Sequence, residues 1–274
     1  MTAGSADITP AEFAQFQKLI FQIAGISLSD GKKVLLVGRL GKRLKHFGFN
    51  TFSQYYRYVT SGEDAAELQN MVDLLTTNET YFFREPKHFE FLQELATKHK
   101  TSGSGPFRVW SAASSSGEEA YTMAMVLAEA LRGAPWEIVG TDISTQVLQK
   151  AQRGHYPLER AEGIPTDYLR KYCLKGVREQ AGTLLISKEL RDRVQFLQSN
   201  LMEPRKGLGQ FDVIFLRNVM IYFDNDTKRK VVANLVPYLK PEGHFVVGHS
   251  ESLNGLTEDL VPLRPTIYRL PRFR

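Results

Sequence analysis

The chain has 274 residues, 42% of them hydrophobic, a formal net charge of +5 and a single cysteine, Cys173. That is enough apolar material for one large core or two smaller ones and too little for a membrane protein, since no apolar run approaches the ~18 residues of a spanning helix. Met1–Asp7 lacks the charged-then-apolar pattern of a signal peptide, and one thiol excludes a disulfide framework or a cysteine-rich zinc site, so the expected setting is reducing and cytoplasmic.

Residues 1–76 read as an all-α domain. Thr9 is placed as an N-cap, Pro10 at the first helical position, and Glu12 closes a capping box. Phe13, Phe16, Leu19, Ile20 and Ile23 then recur at three and four, and Gly25 stops the helix. From Gly31 to Thr60 there are seven Lys and Arg and no Asp or Glu. On a helical projection Leu36, Leu40, Leu44 and Phe47 form one stripe, while Lys32, Arg39, Lys42, Arg43 and His46 gather on a neighbouring face. Such a face is either simply solvated or a docking surface for an acidic protein, nucleic acid or anionic lipid. Tyr55–Val59 and Leu68, Met71, Val72 and Leu75 complete a small bundle.

The stretch from Thr76 to Pro86 has two readings. Thr76 with Glu79 is a possible capping box, followed by an aromatic staple. Alternatively, Asn78, Thr80 and Arg84, interleaved with Tyr81, Phe82 and Phe83 at a domain junction, line a ligand site. A helix from Phe89 to Lys98 and a flexible link, Lys100–Pro106, lead to the strand Arg108–Ala113. Small residues from Ala112 to Gly117 then allow a sharp turn. Helical spacing runs on to Arg132, stopped by Gly133 and Pro135, and Glu137–Asp142 is a second strand ending on an acid.

Strand, small-residue turn, helix, strand and terminal acid make the nucleotide-binding half of a doubly wound sheet, with Asp142 placed for ribose hydroxyls. The turn departs from the dinucleotide fingerprint. It holds one glycine, and Glu118 and Glu119 occupy the first helical turn. They suit the helix dipole, and as plain surface acids they need no further role. They would repel a pyrophosphate, however, and favour a cationic ligand that carries an adenosine. S-adenosylmethionine, with its sulfonium, ammonium and ribose, is such a ligand.

Beyond Asp142 a helix runs to Gly154 and Pro157–Gly163 reads as irregular. Tyr168–Arg193 contains a small β-hairpin insert around Thr183–Ser187. Val194–Gln198 is the next strand, ending at Ser199, Asn200 and Leu201. Phe211–Leu216 is nearly all apolar and hence central, and it runs into Arg217 and Asn218. Asn200 and Asn218 thus fall at strand C-termini, the edge where α/β sheets bind ligands. Lys228–Leu239 is a helix, Pro241–Gly243 a turn, His244–His249 a strand and Ile267–Leu270 a last strand at the edge.

Taken together, Thr76–Glu85, Trp110–Tyr121, Thr141–Ser144, Arg217–Asp224 and Gly248–Glu251 resemble the CheR family of chemotaxis-receptor methyltransferases. The resemblance implies an all-α N-terminal domain (1–76) and a Rossmann-like S-adenosylmethionine-dependent methyltransferase domain (77–274), with a small β-subdomain insert at about 166–193. It implies methyl transfer from S-adenosylmethionine to glutamate side chains of receptors, leaving S-adenosylhomocysteine. Cofactor contacts carry over to Asn78, Thr80, Arg84, Glu119 (Glu118 being the alternative), Asp142, Asn200, Leu201, Arg217 and Asn218. Tyr222 carries over to the substrate side, and the basic helix to docking on the receptors' cytoplasmic helical domain. Family members usually have Pro where this chain has Ala120. In the insert, Val177–Ala181 stand between Gly176 and Gly182 where relatives that bind a receptor's C-terminal pentapeptide carry a glycine-richer loop.

The chemistry agrees with the residue inventory. A glutamate of pKa ~4.3 is ionised at pH 7, so in-line attack on a sulfonium methyl needs no general base and no metal. The six histidines form no H-x-x-x-H or H-E-x-x-H pair. Arg84 is the expected group for steering the carboxylate, with Tyr222 positioning it. A nucleic-acid methyltransferase is the first rival, and the absence of prolines after Asn218 argues against it. A non-catalytic adaptor is the second, and the retained Asn78, Arg84, Asp142 and Asn218 argue against that.

Overall fold

The computed structural model describes residues 7–102 and 105–271. Residues 1–6, 272–274, and 103 and 104 of the expected link lie outside the described residues. The chain divides into two compact units. One holds the chain up to Thr77 with Tyr222–Thr227, and the other Asn78–Ile221 with Lys228 onward.

The first unit is helical. Helix α1 (Pro10–Ala24) opens on the capping box, Glu12 N–H donating to the Thr9 hydroxyl while Glu12 accepts from Thr9 N–H at 2.9 Å. Helix α2 (Lys33–Phe47) follows, then α3 (Phe52–Thr60), which has its own box of Thr51 and Gln54, and α4 (Ala65–Leu75), capped by Asp64. The apolar spacing becomes a core of Phe16, Ile20, Leu36, Leu40, Leu44, Phe52, Tyr55 and Met71, all buried. Burial of each stabilises by ~1.5–3 kcal/mol before the loss of conformational entropy is subtracted. Thr76 ends α4, its hydroxyl donating to the Asp73 carbonyl, and no helix begins there. The Thr76–Glu79 capping box is therefore not formed.

In the second unit, helix α5 (Lys87–Ser102) precedes β1 (Phe107–Ser111), α6 (Glu118–Leu131), β2 (Trp136–Asp142) and α7 (Thr145–Arg153). Then come β3 (His155–Pro157), α8 (Thr166–Tyr172), β4 (Cys173–Lys175), β5 (Thr183–Ile186), α9 (Lys188–Arg191), β6 (Val194–Gln198) and β7 (Phe211–Leu216). Helix α10 (Asn225–Leu235), whose first three residues group with the first unit, β8 (Leu239–Val247), β9 (Val261–Arg264) and β10 (Ile267–Arg269) complete the chain. The main sheet has the order β6-β2-β1-β7-β8-β10-β9, parallel from β6 to β8 and antiparallel beyond. Apolar β7 stands in the middle, its Val213 and Phe215 packed into one core with Val109, Met123, Leu127 and Val246.

Several elements differ from expectation. The insert hairpin β4–β5 gains a third strand, β3, so this sheet draws on residues from His155, earlier than about 166. Three residues ending in proline carry no readable period, and Pro157 is tolerated because β3 is an edge strand. Leu158–Gly163, read as irregular, forms a 3₁₀ turn. Residues 240–243 form a bulge within β8 rather than a turn before it, since Phe211 pairs with Leu239 and Val213 with His244. The outer edge belongs to β9, not β10, and Pro262 masked that strand for the same reason as Pro157. Helix α10 begins at Asn225, where Asp224 accepts from Thr227 N–H.

Candidate active site

The turn after β1 is shaped by Gly117, which caps α6 at φ 96, in the left-handed region. A Cβ there would stand 2.8 Å from the Ala151 Cβ, so both conformation and space require glycine. Helix α6 consequently starts with Glu118 and Glu119 beside the C-terminal ends of β1 and β2. Asp142 closes β2 and accepts from the Ser115 and Ser144 N–H groups, both at 2.9 Å, which ties the turn to the strand end. Ser199 N–H donates to the Asp142 carbonyl and brings Asn200 and Leu201 to the same edge. The Asn200 side chain accepts from Met202 N–H, and the Leu201 carbonyl accepts from Asn234.

After β7, Arg217 is buried, its side chain 1% exposed. It donates to Glu119 at 2.8 Å, to Glu85 at 2.9 Å and to the Arg84 carbonyl at 2.6 Å, and lies over Phe89. Glu119 also accepts from the Ser111 hydroxyl. Glu85 further accepts from the Asn218 amide and from His249 N–H. Burial alone would raise Glu85, but Arg217 and Asn218 outweigh it and hold the carboxyl down to about 2. His88, buried beside Arg217, is lowered to about 4 and is neutral at pH 7. Glu251 is buried too, and accepts from the Asn218, Met220 and Gly248 N–H groups.

Phe83, Glu85, Ser115 and Asn218 all adopt φ between 47 and 59, conformations non-glycine residues rarely take. Backbone strain of this kind, on the order of 1–3 kcal/mol per residue, concentrates where function over-determines the geometry.

The structure thus joins Asn78, whose carbonyl accepts from Ser115, to Thr80, Arg84, Glu119, Asp142, Asn200, Leu201, Arg217 and Asn218 around one strand edge. Glu118 and Glu119 part company. Glu118 is fully buried, raised by that burial, and bonded to the Ser116 hydroxyl, whereas the Glu119 side chain is 12% exposed. Arg84 is half-buried, donates to the Glu79 carbonyl and lies over Tyr81. Tyr222 groups with the helical unit, where its carbonyl accepts from Ser27 N–H.

The basic face is divided. Arg39 donates to the carbonyls of Leu74 and Thr76, and Arg43 makes a two-pronged pair with buried Glu67. Lys32, Lys42 and His46 are exposed. An acid beyond the thirty-residue stretch, Glu67, is what the local count could not see.

Glu85 and Glu251 escape the sequence reading as site residues although both lie within its motifs. The signal was there, an acid directly following Arg84 and another closing Gly248–Glu251. Glu85, His88 and His249 offer ligand atoms within 4.8 Å of one another. The Glu85 carboxylate is already paired with Arg217.

The matches to known proteins cover both units. Residues 11–76 match the family profile described as "CheR methyltransferase, all-alpha domain", and residues 78–268 match "CheR methyltransferase, SAM binding domain". The chain belongs to the CheR methyltransferase family. Among its relatives, a chemotaxis protein methyltransferase of Salmonella typhimurium is 39% identical over 268 residues, 97% of this chain and 92% of that protein. Chemotaxis protein methyltransferase 2 of Pseudomonas aeruginosa is 39% identical over 263 residues, 95% of this chain and 93% of that protein. A CheR-family chain of this extent is an S-adenosylmethionine-dependent methyltransferase with an all-α N-terminal domain and a Rossmann-like second domain. Among the described residues no helix is long and apolar enough to cross a membrane.

Proposed function

We propose that this protein transfers the methyl group of S-adenosylmethionine to glutamate side chains on the cytoplasmic helical domain of chemotaxis receptors, forming methyl esters. The observation that carries the reading is the donor set at the strand edge, carboxylates where a phosphate-binding fold would present bare amides. Glu119 is suited to the cofactor's ammonium and Asp142 to its ribose hydroxyls. The buried Nε–H of Arg217 has no acceptor among the described residues and suits the cofactor's carboxylate. Asn78, Thr80, Asn200, Leu201 and Asn218 complete the wall. Between the paired acids, exposure favours Glu119 as the ligand contact.

S-adenosylmethionine supplies an electrophilic methyl group on sulfur. The protein must bring the substrate carboxylate in line at roughly 3–3.5 Å and keep water out. Arg84 steers the carboxylate, and its existing bond to the Glu79 carbonyl limits how tightly it can pair with the nucleophile. Tyr222 positions the substrate by its hydroxyl. The substrate is ionised at pH 7, so no proton has to be removed and no metal is needed.

Receptor docking falls to Lys32, Lys42 and His46, the exposed part of the basic face. The test is transfer of labelled methyl to receptor cytoplasmic fragments. Base-labile label on glutamate, unchanged after dialysis against a chelator, is the expected outcome. Base-stable label, or label on nucleic acid, would overturn the reading.

A further inference from the structure

Among the side chains by which the insert reaches the strand edge is one that neither composition nor motif singled out. Arg160 lies in the 3₁₀ turn Leu158–Gly163, after β3. Its Nη1 donates to the Thr80 carbonyl at 2.8 Å and lies 3.3 Å from the Glu118 carboxylate. One guanidinium therefore connects the insert, the 78–85 segment and the first turn of α6.

Three neighbouring contacts bring the same parts together. Gly163 lies so close to the 78–85 segment that a Cβ on it would stand 2.2 Å from the Phe82 carbonyl oxygen. Tyr156 packs edge-on against Phe82, and its hydroxyl donates to the Ser116 carbonyl at 2.7 Å. Phe83 meets Tyr168.

These contacts differ in kind. Tyr156 and Gly163 are packed into the core or against backbone, whereas the Arg160 side chain is 46% exposed. Removing its charge therefore leaves the fold in place while releasing the Thr80 carbonyl. Within segment 78–85 the Asn78 carbonyl accepts from Ser115 and the Glu79 carbonyl from Arg84, and the Thr80 carbonyl between these anchors and Phe82 accepts from Arg160. The segment forms no helix or strand, and two of its residues hold left-handed conformations. Burial raises the Glu118 carboxyl, and the Ser116 hydroxyl, Arg160 and Lys150 favour its ionised form. A charge-assisted bond to a carbonyl on a loop without regular structure is a means of setting that loop's position.

We infer that Arg160 is a positioning residue for cofactor binding. It fixes segment 78–80 and the start of α6 in the arrangement that receives S-adenosylmethionine, and it makes the β-insert part of the cofactor site. This rests on the assignment of that strand edge as the cofactor site.

The experiment compares Arg160→Met, Arg160→Lys and Asp142→Ala in the full chain. S-adenosylhomocysteine affinity is measured by calorimetry, kcat and KM with a receptor fragment, and amide exchange by mass spectrometry. Arg160→Met is expected to bind S-adenosylhomocysteine about three- to tenfold more weakly, a range discounted for an exposed bond. Its kcat at saturating cofactor should stay within twofold of wild type. Exchange should quicken in residues 78–83 and not in β1 or β7, and Arg160→Lys should recover part of the affinity.

Unchanged affinity in a folded Arg160→Met protein, with Asp142→Ala still impaired, would overturn this inference alone. Unchanged affinity in both would show that the strand edge is not the cofactor site. Faster exchange throughout the unit would show that Arg160 acts on general stability, which also overturns the inference.

Discussion

His88 offers a prediction whose size follows from its surroundings. The imidazole is buried, its Nε2 lies 2.7 Å from the Thr266 hydroxyl, and Arg217 is close by. Burial first, and Arg217 second, lower it from 6.5 to about 4. Between those values the unfolded chain binds a proton that the folded chain refuses, so stability falls as pH falls through this window. Evaluating the linkage at pH 7 and at pH 4.5 gives a loss of roughly 2 kcal/mol from this one group.

Other groups titrate nearby. Glu85 is depressed to about 2, so its contribution is kept above about pH 4.5 and lost below it. Glu118 and Glu251 are raised by burial and oppose His88, losing stability as pH rises above 4.5. The His88 contribution is therefore isolated by a difference between proteins rather than by the wild-type curve. The two tryptophans, Trp110 in β1 and Trp136 in β2, both belong to the methyltransferase unit, so their fluorescence in urea reports its unfolding. His88→Gln loses some stability at pH 7 but should lose roughly 2 kcal/mol less than wild type on going to pH 4.5. Parallel stability curves for the two proteins between pH 7 and 4.5 would refute the reasoning.

Further outcomes follow from other residues. Asp142→Ala should weaken S-adenosylmethionine binding by roughly 10- to 150-fold, the loss of a charged hydrogen-bonding partner worth ~1.5–3 kcal/mol; calorimetry on a folded variant that finds wild-type affinity would refute it. Lys32→Glu with Lys42→Glu should raise the KM for a receptor fragment several-fold at low salt and leave cofactor affinity alone, and equal KM under those conditions would remove these lysines from the docking surface. Arg43→Ala should instead lower the unfolding midpoint of the helical unit, followed by circular dichroism, by the equivalent of about 2–3 kcal/mol, because buried Glu67 loses its partner. In the insert, Arg178 at φ 53 and the closed bonds from Gln180 to Val177 and Ala181 to Arg178 leave a compact turn; methylation should proceed equally on receptors with and without a C-terminal pentapeptide, and micromolar binding of the free peptide would contradict this.

Much of the molecule was legible because local physics determined it. The α1 capping box, the leucine stripe of α2 and the apolar run of β7 each combine short-range hydrogen bonding or one clear period with burial, and all sit where the sequence put them. The strand ends at Asp142, Asn200 and Asn218 were legible for a related reason, since in a parallel α/β sheet every such end falls on one edge.

What the sequence could not supply is pairing across distance. Arg39 and Arg43 looked like surface cations until Thr76 and Glu67 were folded against them, 37 and 24 residues away. Strands β3 and β9 contain proline and are too short to show a period; only hydrogen bonding to a neighbour makes them strands. Glu118 and Glu119 are adjacent and chemically identical, yet one is sealed under Arg160 and the other turned toward Arg217. A one-residue step along a helix rotates a side chain by about 100°, and which of two neighbours then meets the site depends on what packs around the helix.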